Sequence, residues 1–367
     1  VGSVSVRRFQ KIVLTIIMIS FICNISLTAF SQGRAVKVDE DKRIQEICQQ
    51  VKFMKISKEK IKELVDEGLS LKDAEYYIKL DKIVTLLEQE NIEVKLEKDI
   101  EDISDRDFIN NKAYYRERIL EGDKVALKKA LKSLDNIING SEYTNRIIST
   151  FSDKTSYEII YPDGTKVTYD TKVKENEKKS LIERQEQKHL KSKSEKAANN
   201  IGHVKDEYKK NDLYKPIKLG YEETIMDRGT TFAYENLGSR EGEWSFESGL
   251  AFSKVYLYTE FQLGEDRVST IKYARGGQSS YGIVNIANST GATISRAKSL
   301  GEDLPAEARN EVIFTVSGSF GATFLILSLS VEPGMNWTQY IVFRLHEPKK
   351  IDEYYGAEYE WYAAEYK

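Results

Sequence analysis

The sequence predicts an α+β protein: an N-terminal α-helical hairpin unit followed by a C-terminal antiparallel β-sandwich or jelly-roll-like domain. Three observations predict it. Between residues 40 and 140 apolar residues recur at helical spacing between Ser, Asp and Gly punctuation, and no proline occurs before Pro162. From about residue 212 the apolar period falls to two, with Gly-containing turns between short runs. Between these halves lies a charged stretch with too little apolar surface to build a core.

The first element is an export segment. Arg7, Arg8 and Lys11 precede a run from Ile12 to Phe30 that holds no charged residue. Cations stay on the cytoplasmic side while an apolar run enters the bilayer, the pattern that an export machine reads. Ala29 and Ser31 are small and stand three and one residues before a cut after Ser31, so residues 1–31 are expected to be a signal peptide. The run approaches the roughly 20 apolar residues that span a bilayer, which makes a retained anchor the alternative. Thr15, Ser20, Asn24, Ser26 and Thr28 weaken it as a permanent span. A lipidated Cys23 is disfavoured by the bulky Ile22 before it.

A helical domain is expected over residues 38–148. Ser57 caps a helix carrying Ile61, Leu64 and Val65 on one face, and Gly68 offers a left-handed stop. Ser70 opens the next helix with Asp73 as its capping-box partner. Its stripe is Ala74, Tyr77, Ile78, Leu80, Ile83, Val84 and Leu87. Ser104 and Asp107 start a helix that runs to Gly122. Asp123 caps the last, with Leu127, Ala130, Leu131, Leu134 and Ile138 as its stripe.

A β-hairpin is expected over residues 149–171, where Tyr157, Ile159 and Tyr161 alternate before a Pro162-Asp163-Gly164 turn and Val167 and Tyr169 follow it. Residues 172–211 form a connector dense in both signs of charge. The sandwich is placed at residues 212–350. In "SKVYLYTEFQL", Val255, Leu257, Thr259 and Phe261 alternate with Tyr256, Tyr258, Glu260 and Gln262. Residues 351–367 form an acidic tail with interleaved aromatics. It reads as a last strand or helix whose rings cover the sandwich, the alternative being an exposed partner-binding tail.

Charge and chemistry narrow the function. The whole chain carries −3; removal of residues 1–31 takes three cations and no acid, leaving −6. This balance gives no general attraction to nucleic acid or anionic lipid. Of the two cysteines, Cys23 leaves with the signal, so Cys48 has no intramolecular disulfide partner. Cys48 lies beside Ile44, Ile47 and Val51 and reads as a buried structural thiol. His189, His203 and His346 are the three histidines, and none has a second ligand at zinc spacing, so no metal is expected. Asp99, Asp102, Asp105 and Asp107 cluster without the order or glycine of a calcium loop. No Gly-x-Ser-x-Gly elbow and no phosphate-binding glycine loop occurs, and no cofactor is expected. The acids that follow Gly68 argue against a DNA-reading helix-turn-helix.

These exclusions leave an exported, non-catalytic binding or scaffolding protein, secreted or at the extracytoplasmic surface of a bacterium. Its expected partner is a cell-envelope protein or a polysaccharide. The membrane enters only through residues 12–30 if they are not cleaved. Aromatic faces stack on sugars, which makes Trp244, Tyr256, Tyr258 and Trp337 the candidate ligand contacts. Two alternatives stand beside this. A pore-former would use the Ser/Thr-rich alternation of "NEVIFTVSGSFGATFLILSLSVE". An extracellular hydrolase would use paired carboxylates, one with a raised pKa, converging in a cleft.

Overall fold

The structure, a computed structural model, describes residues 39–96, 100–139, 145–150, 154–173, 224–232, 237–264, 267–320, 334–351 and 354–366. Chain contacts divide it at Arg43 and Ile44. Of the first unit only Asp39–Arg43 are described; the second, Ile44–Lys367, carries the core and both sheets. The export segment and the connector with His189 and His203 lie outside the described residues.

Among the described residues six helices come first: α1 (Glu40–Lys52), α2 (Lys58–Asp66), α3 (Leu71–Gln89), α4 (Asp105–Asn110), α5 (Lys112–Leu120) and α6 (Lys124–Asn139). The caps are those the sequence predicts. The Ser57 hydroxyl accepts from the Lys60 amide, Ser70 from Asp73 and Ser104 from Asp107. Asp123 accepts from the Val125 and Ala126 amides. Each such cap satisfies an amide that has no partner within its helix. Every member of the expected α3 stripe is buried, and so is Tyr76. The expected α2 face is only partly used: Leu64 is buried, but Val65 is 40% exposed because this short helix meets its neighbours along a narrow line. The spacing predicts one helix from Ser104 to Gly122, but the chain breaks at Asn111. There the Asn111 side-chain amide donates to Asp107 at 2.7 Å, a local bond that competes with the helical ladder.

Eleven described strands follow: β1 (Asn145–Thr150), β2 (Lys154–Ile160), β3 (Lys166–Val173), β4 (Thr224–Phe232), β5 (Leu237–Glu247), β6 (Ala251–Leu263), β7 (Ser269–Gly282), β8 (Val284–Arg296), β9 (Ala306–Val316), β10 (Asn336–Ile351) and β11 (Tyr354–Tyr366). They form a six-stranded sheet in the order β1-β2-β3-β5-β6-β7 and a five-stranded sheet in the order β4-β11-β10-β9-β8, antiparallel throughout. The 149–171 hairpin is β2–β3, and it belongs to the six-stranded sheet, with Tyr169 opposite Trp244 on β5. The aromatic tail is strand β11, seated between β10 and β4, which places Tyr359 and Trp361 in the interior. The exposed-tail alternative is thereby corrected.

The alternation on β6 sets both faces of its sheet. Val255, Leu257, Thr259 and Phe261 are buried, while Tyr256, Tyr258, Glu260 and Gln262 point away from the core. Between the sheets Trp244, Phe246, Phe314, Trp337, Phe343 and Trp361 make ring contacts. Burying one such side chain contributes about 1.5–3 kcal/mol. The helices dock on the β5–β6 turn through two phenols: Tyr76 donates to the Gly249 carbonyl and Tyr77 to the Ser248 carbonyl, each at 2.6 Å. Arg116 of α5 completes the joint. Its guanidinium pairs with Asp73 and Glu247 and lies over the Tyr76 and Tyr77 rings. Burial works against the Glu247 charge, but Lys112 and Arg116 outweigh it and hold this carboxyl below the usual carboxylate range.

Candidate functional site

The helices leave part of the outer face of the six-stranded sheet uncovered. Register places Glu243, Tyr256 and Gly277 in one cross-strand row and Glu241, Tyr258 and Arg275 in the next. Helix α2 stands beside these rows, and a groove of about 510 Å³ lies between them. Glu59, Glu63, Asp66 and Glu67 line it from the helix side, Glu241 and Glu243 from β5. Against these six carboxylates stand two cations, Lys62 and Lys254.

The pairing inside the groove is uneven. Lys254 lies 3.2 Å from Glu243 and also donates to the Glu67 backbone carbonyl at 3.3 Å. Glu67 accepts from the Ser279 hydroxyl at 2.7 Å. Burial raises the Glu67 carboxyl above its ordinary pKa; Ser279 and Lys254 oppose this, while Glu63 and Glu243 add to it. An excess of carboxylates beside a low-dielectric wall focuses a negative potential and favours a cationic ligand.

Two adjacent glycines shape the floor. A side chain at Gly277 would collide with the Tyr256 ring, which lies across that position on the outer face. One at Gly276 would collide with Asn310, which enters from the opposite sheet. The Asn310 amide donates to the Tyr256 and Gly277 carbonyls at 2.9 and 3.2 Å, fixing the two strands where the ring rests. The glycine pair thus lets a buried amide support the sheet beneath an aromatic ring. The spacing of short apolar runs predicts a turn at Gly276-Gly277; the pair lies instead within β7, where the missing side chains permit this close approach.

The four aromatic candidates separate. Trp244 is 0% and Trp337 3% exposed, so neither presents a face to a sugar. That expectation is corrected for a physical reason: both rings close the gap between the sheets, Trp244 against Phe314 at 6.2 Å and Trp337 against Phe246 at 6.4 Å. Tyr256 and Tyr258 are on the outer face. Tyr256 lines the groove. Tyr258 is covered on one side by Arg275, whose guanidinium sits 4.7 Å from the ring centre, and its hydroxyl donates to Glu260 at 2.8 Å.

The remaining chemistry-bearing residues have structural surroundings. Cys48 is buried beside Gly122, and burial, then Glu121, pushes its thiol up to about 11. Asp102 pairs with Lys132 and Asp105 with Lys129, while Asp107 accepts from Tyr115 and Asn111. Among the described residues no group of three or more His, Cys, Asp or Glu side chains is placed to hold a metal ion. His346 lies 3.3 Å from Glu360, away from the groove. In the stretch with pore-like alternation, Val312, Phe314 and Val316 of β9 face the core, and residues 321–333 lie outside the described residues. Among the described residues no helix is long and apolar enough to cross a membrane.

No protein-family model, curated protein or solved structure matches the chain.

Proposed function

We propose that the protein is an exported, non-catalytic binding protein, and that its groove beside α2 holds a cationic segment of a cell-envelope or extracellular partner. The observation that carries this reading is the charge of the groove, six carboxylates against two lysines around the Tyr256 ring. Carboxylates attract a lysine or arginine side chain, and the aromatic face adds a cation–π contact of about 0.5–1 kcal/mol at an exposed site. Export rests on Arg7, Arg8, Lys11 and the apolar run after them, and a single-membrane bacterial source on the scarcity of cysteine, two in the chain, and the Lys-, Ile- and Asn-rich usage. Mass analysis of the protein from such a host is expected to give an external species that begins at Gln32.

The binding test is an anisotropy titration of a labelled Lys/Arg-rich peptide against wild type, Tyr256→Ala and the double variant Glu63→Gln/Glu241→Gln. The double variant is expected to bind about tenfold more weakly, which corresponds to roughly 1.4 kcal/mol. Equal affinity for wild type and the double variant overturns the reading. Binding of a neutral polysaccharide that needs Tyr256 but neither carboxylate would turn it toward a glycan.

A hydrolase is the second reading, favoured by one observation: Glu67 has a raised pKa and faces Glu243 across the groove. Both carboxylates are already engaged, Glu67 with Ser279 and Glu243 with Lys254, which favours binding over catalysis. Release of reducing ends from a polysaccharide by wild type but not by Glu67→Gln would establish the hydrolase instead.

A further inference from the structure

The groove is acidic on three counts. Glu59, Glu63, Asp66 and Glu67 recur at helical spacing along the α2 wall, and Glu241 and Glu243 line the β5 wall, so that two lysines leave four of six carboxylates in excess. The last turn of α2 carries no basic residue to offset the negative end of the helix dipole. With about 510 Å³ of space beside the Tyr256 ring, the groove fits a short cationic segment rather than a folded partner. Strand β3 ends at its rim. Lys172 stands opposite Glu241 and lies 3.8 Å from Glu243. After Val173 the chain enters the connector, residues 174–223, and returns at Thr224 of β4. It therefore leaves the sheet one strand, about 4.8 Å, from the groove wall.

The net positive charge of the connector is gathered in one block. Residues 174–187 hold four cations and four acids, and residues 197–223 hold five of each. Between them, residues 188–196, "KHLKSKSEK", hold four lysines and one acid, Glu195. Fifteen residue steps join Val173 to Lys188, up to about 50 Å of chain, and 28 join Lys196 to Thr224, up to about 95 Å. The first arm covers the step to the groove with slack. The second returns across a sandwich whose sheets lie about 10 Å apart.

We propose that the resident ligand of the groove is the 188–196 block of the same chain, so that an outside partner binds by displacing it. This rests on the cationic-ligand reading of the groove and names its internal competitor. The lysines of the block meet the carboxylate excess, whereas the charge-balanced stretches on either side gain little by approaching it. A tethered block meets its site at an effective concentration of about 1 mM, so even weak docking counts. At that concentration a block with a dissociation constant of about 0.5 mM fills two thirds of the grooves and weakens an outside peptide about threefold. Salt screens the attraction and frees the groove.

Docking is read first in the free protein, by zero-length carbodiimide cross-linking of lysine amines to carboxylates and peptide mass spectrometry. Links from Lys188, Lys191, Lys193 or Lys196 to the α2 and β5 carboxylates of the groove are expected in excess over links from connector lysines outside the block. Mixing unlabelled and heavy-isotope-labelled protein separates links within one chain from links between copies. An even spread over the connector, or links confined to mixed pairs, would overturn the proposal. A labelled Lys/Arg-rich peptide is then titrated against wild type and a variant carrying Lys188→Gln, Lys191→Gln, Lys193→Gln and Lys196→Gln. The variant is expected to bind the peptide about threefold more tightly. Equal affinity would overturn the internal competitor and leave the cationic reading of the groove standing. A peptide bound by neither protein would overturn the outside-partner reading, and displacement with it, while the cross-links still decide where the block sits.

Discussion

Replacing Arg116 by Met tests how the helices are held on the sandwich. The guanidinium joins Asp73 of α3 to Glu247 of β5 and covers the Tyr76 ring at 4.7 Å. Its side chain is only 10% exposed. Met keeps most of the volume of the stem and removes the charge. Removing one partner of a buried ion pair costs about 3–5 kcal/mol, because the other charge stays buried. Here Glu247 keeps Lys112 at 2.7 Å and Asp73 keeps the Ser70 hydroxyl, so the lower end, about 3 kcal/mol, is expected. Replacing the pair with apolar groups is often neutral, so Arg116→Met/Glu247→Leu should be more stable than Arg116→Met alone. Urea unfolding at pH 7 reads both quantities. A loss of less than about 1 kcal/mol in the single variant, or a double variant less stable than the single, would refute this account of the joint.

Burial and close packing elsewhere in the molecule have further consequences. Glu67, Asp81 and Asp227 have raised folded-state pKa values, caused first by burial. The folded state therefore holds their protons more tightly, and stability should rise as pH falls from neutral toward the unfolded carboxylate value of about 4. Glu247, Asp123, Asp102 and Glu307 are shifted downward, so their contribution is lost below that value. A melting-temperature profile should thus peak in mild acid, and a peak above pH 7 would contradict these assignments. Gly242→Ala should cost about 1–3 kcal/mol by overpacking, since a Cβ there would stand 2.6 Å from the Trp361 ring; stability unchanged in urea would show that this contact is slack. Tyr256→Ala should weaken cationic-peptide binding about two- to fivefold and leave the urea midpoint nearly unchanged. A large midpoint loss would make Tyr256 a packing residue.

Local rules made much of the fold legible. Ser57, Ser70, Ser104 and Asp123 announce helix starts because a short polar side chain is what an unpaired amide needs. The period of two in "SKVYLYTEFQL" announces which side chains of β6 face the core. What escaped depends on contacts distant in sequence. Nothing local in "TIMDRGTTF" says that it pairs with the last strand of the chain, because register is set by the partner. Trp244 and Trp337 illustrate the same limit at the site. An indole serves equally as core or as sugar platform, and only the opposing sheet decides. The groove could not be read ahead because its carboxylates come from α2 and β5, nearly 180 residues apart, and acids are common throughout this chain. The pair Gly276-Gly277 reads locally as a turn, and its role inside β7 shows only when Asn310 arrives from the other sheet.

The measurement that tests the central claim most directly is a hydrogen-exchange footprint of a Lys/Arg-rich peptide on the protein at low and at physiological salt. Protection is expected over residues 58–67, 241–243 and 254–256 and near 277–279, fading as salt screens the carboxylates. Protection elsewhere, or none at peptide concentrations that saturate the anisotropy signal, would contradict the assignment of the groove.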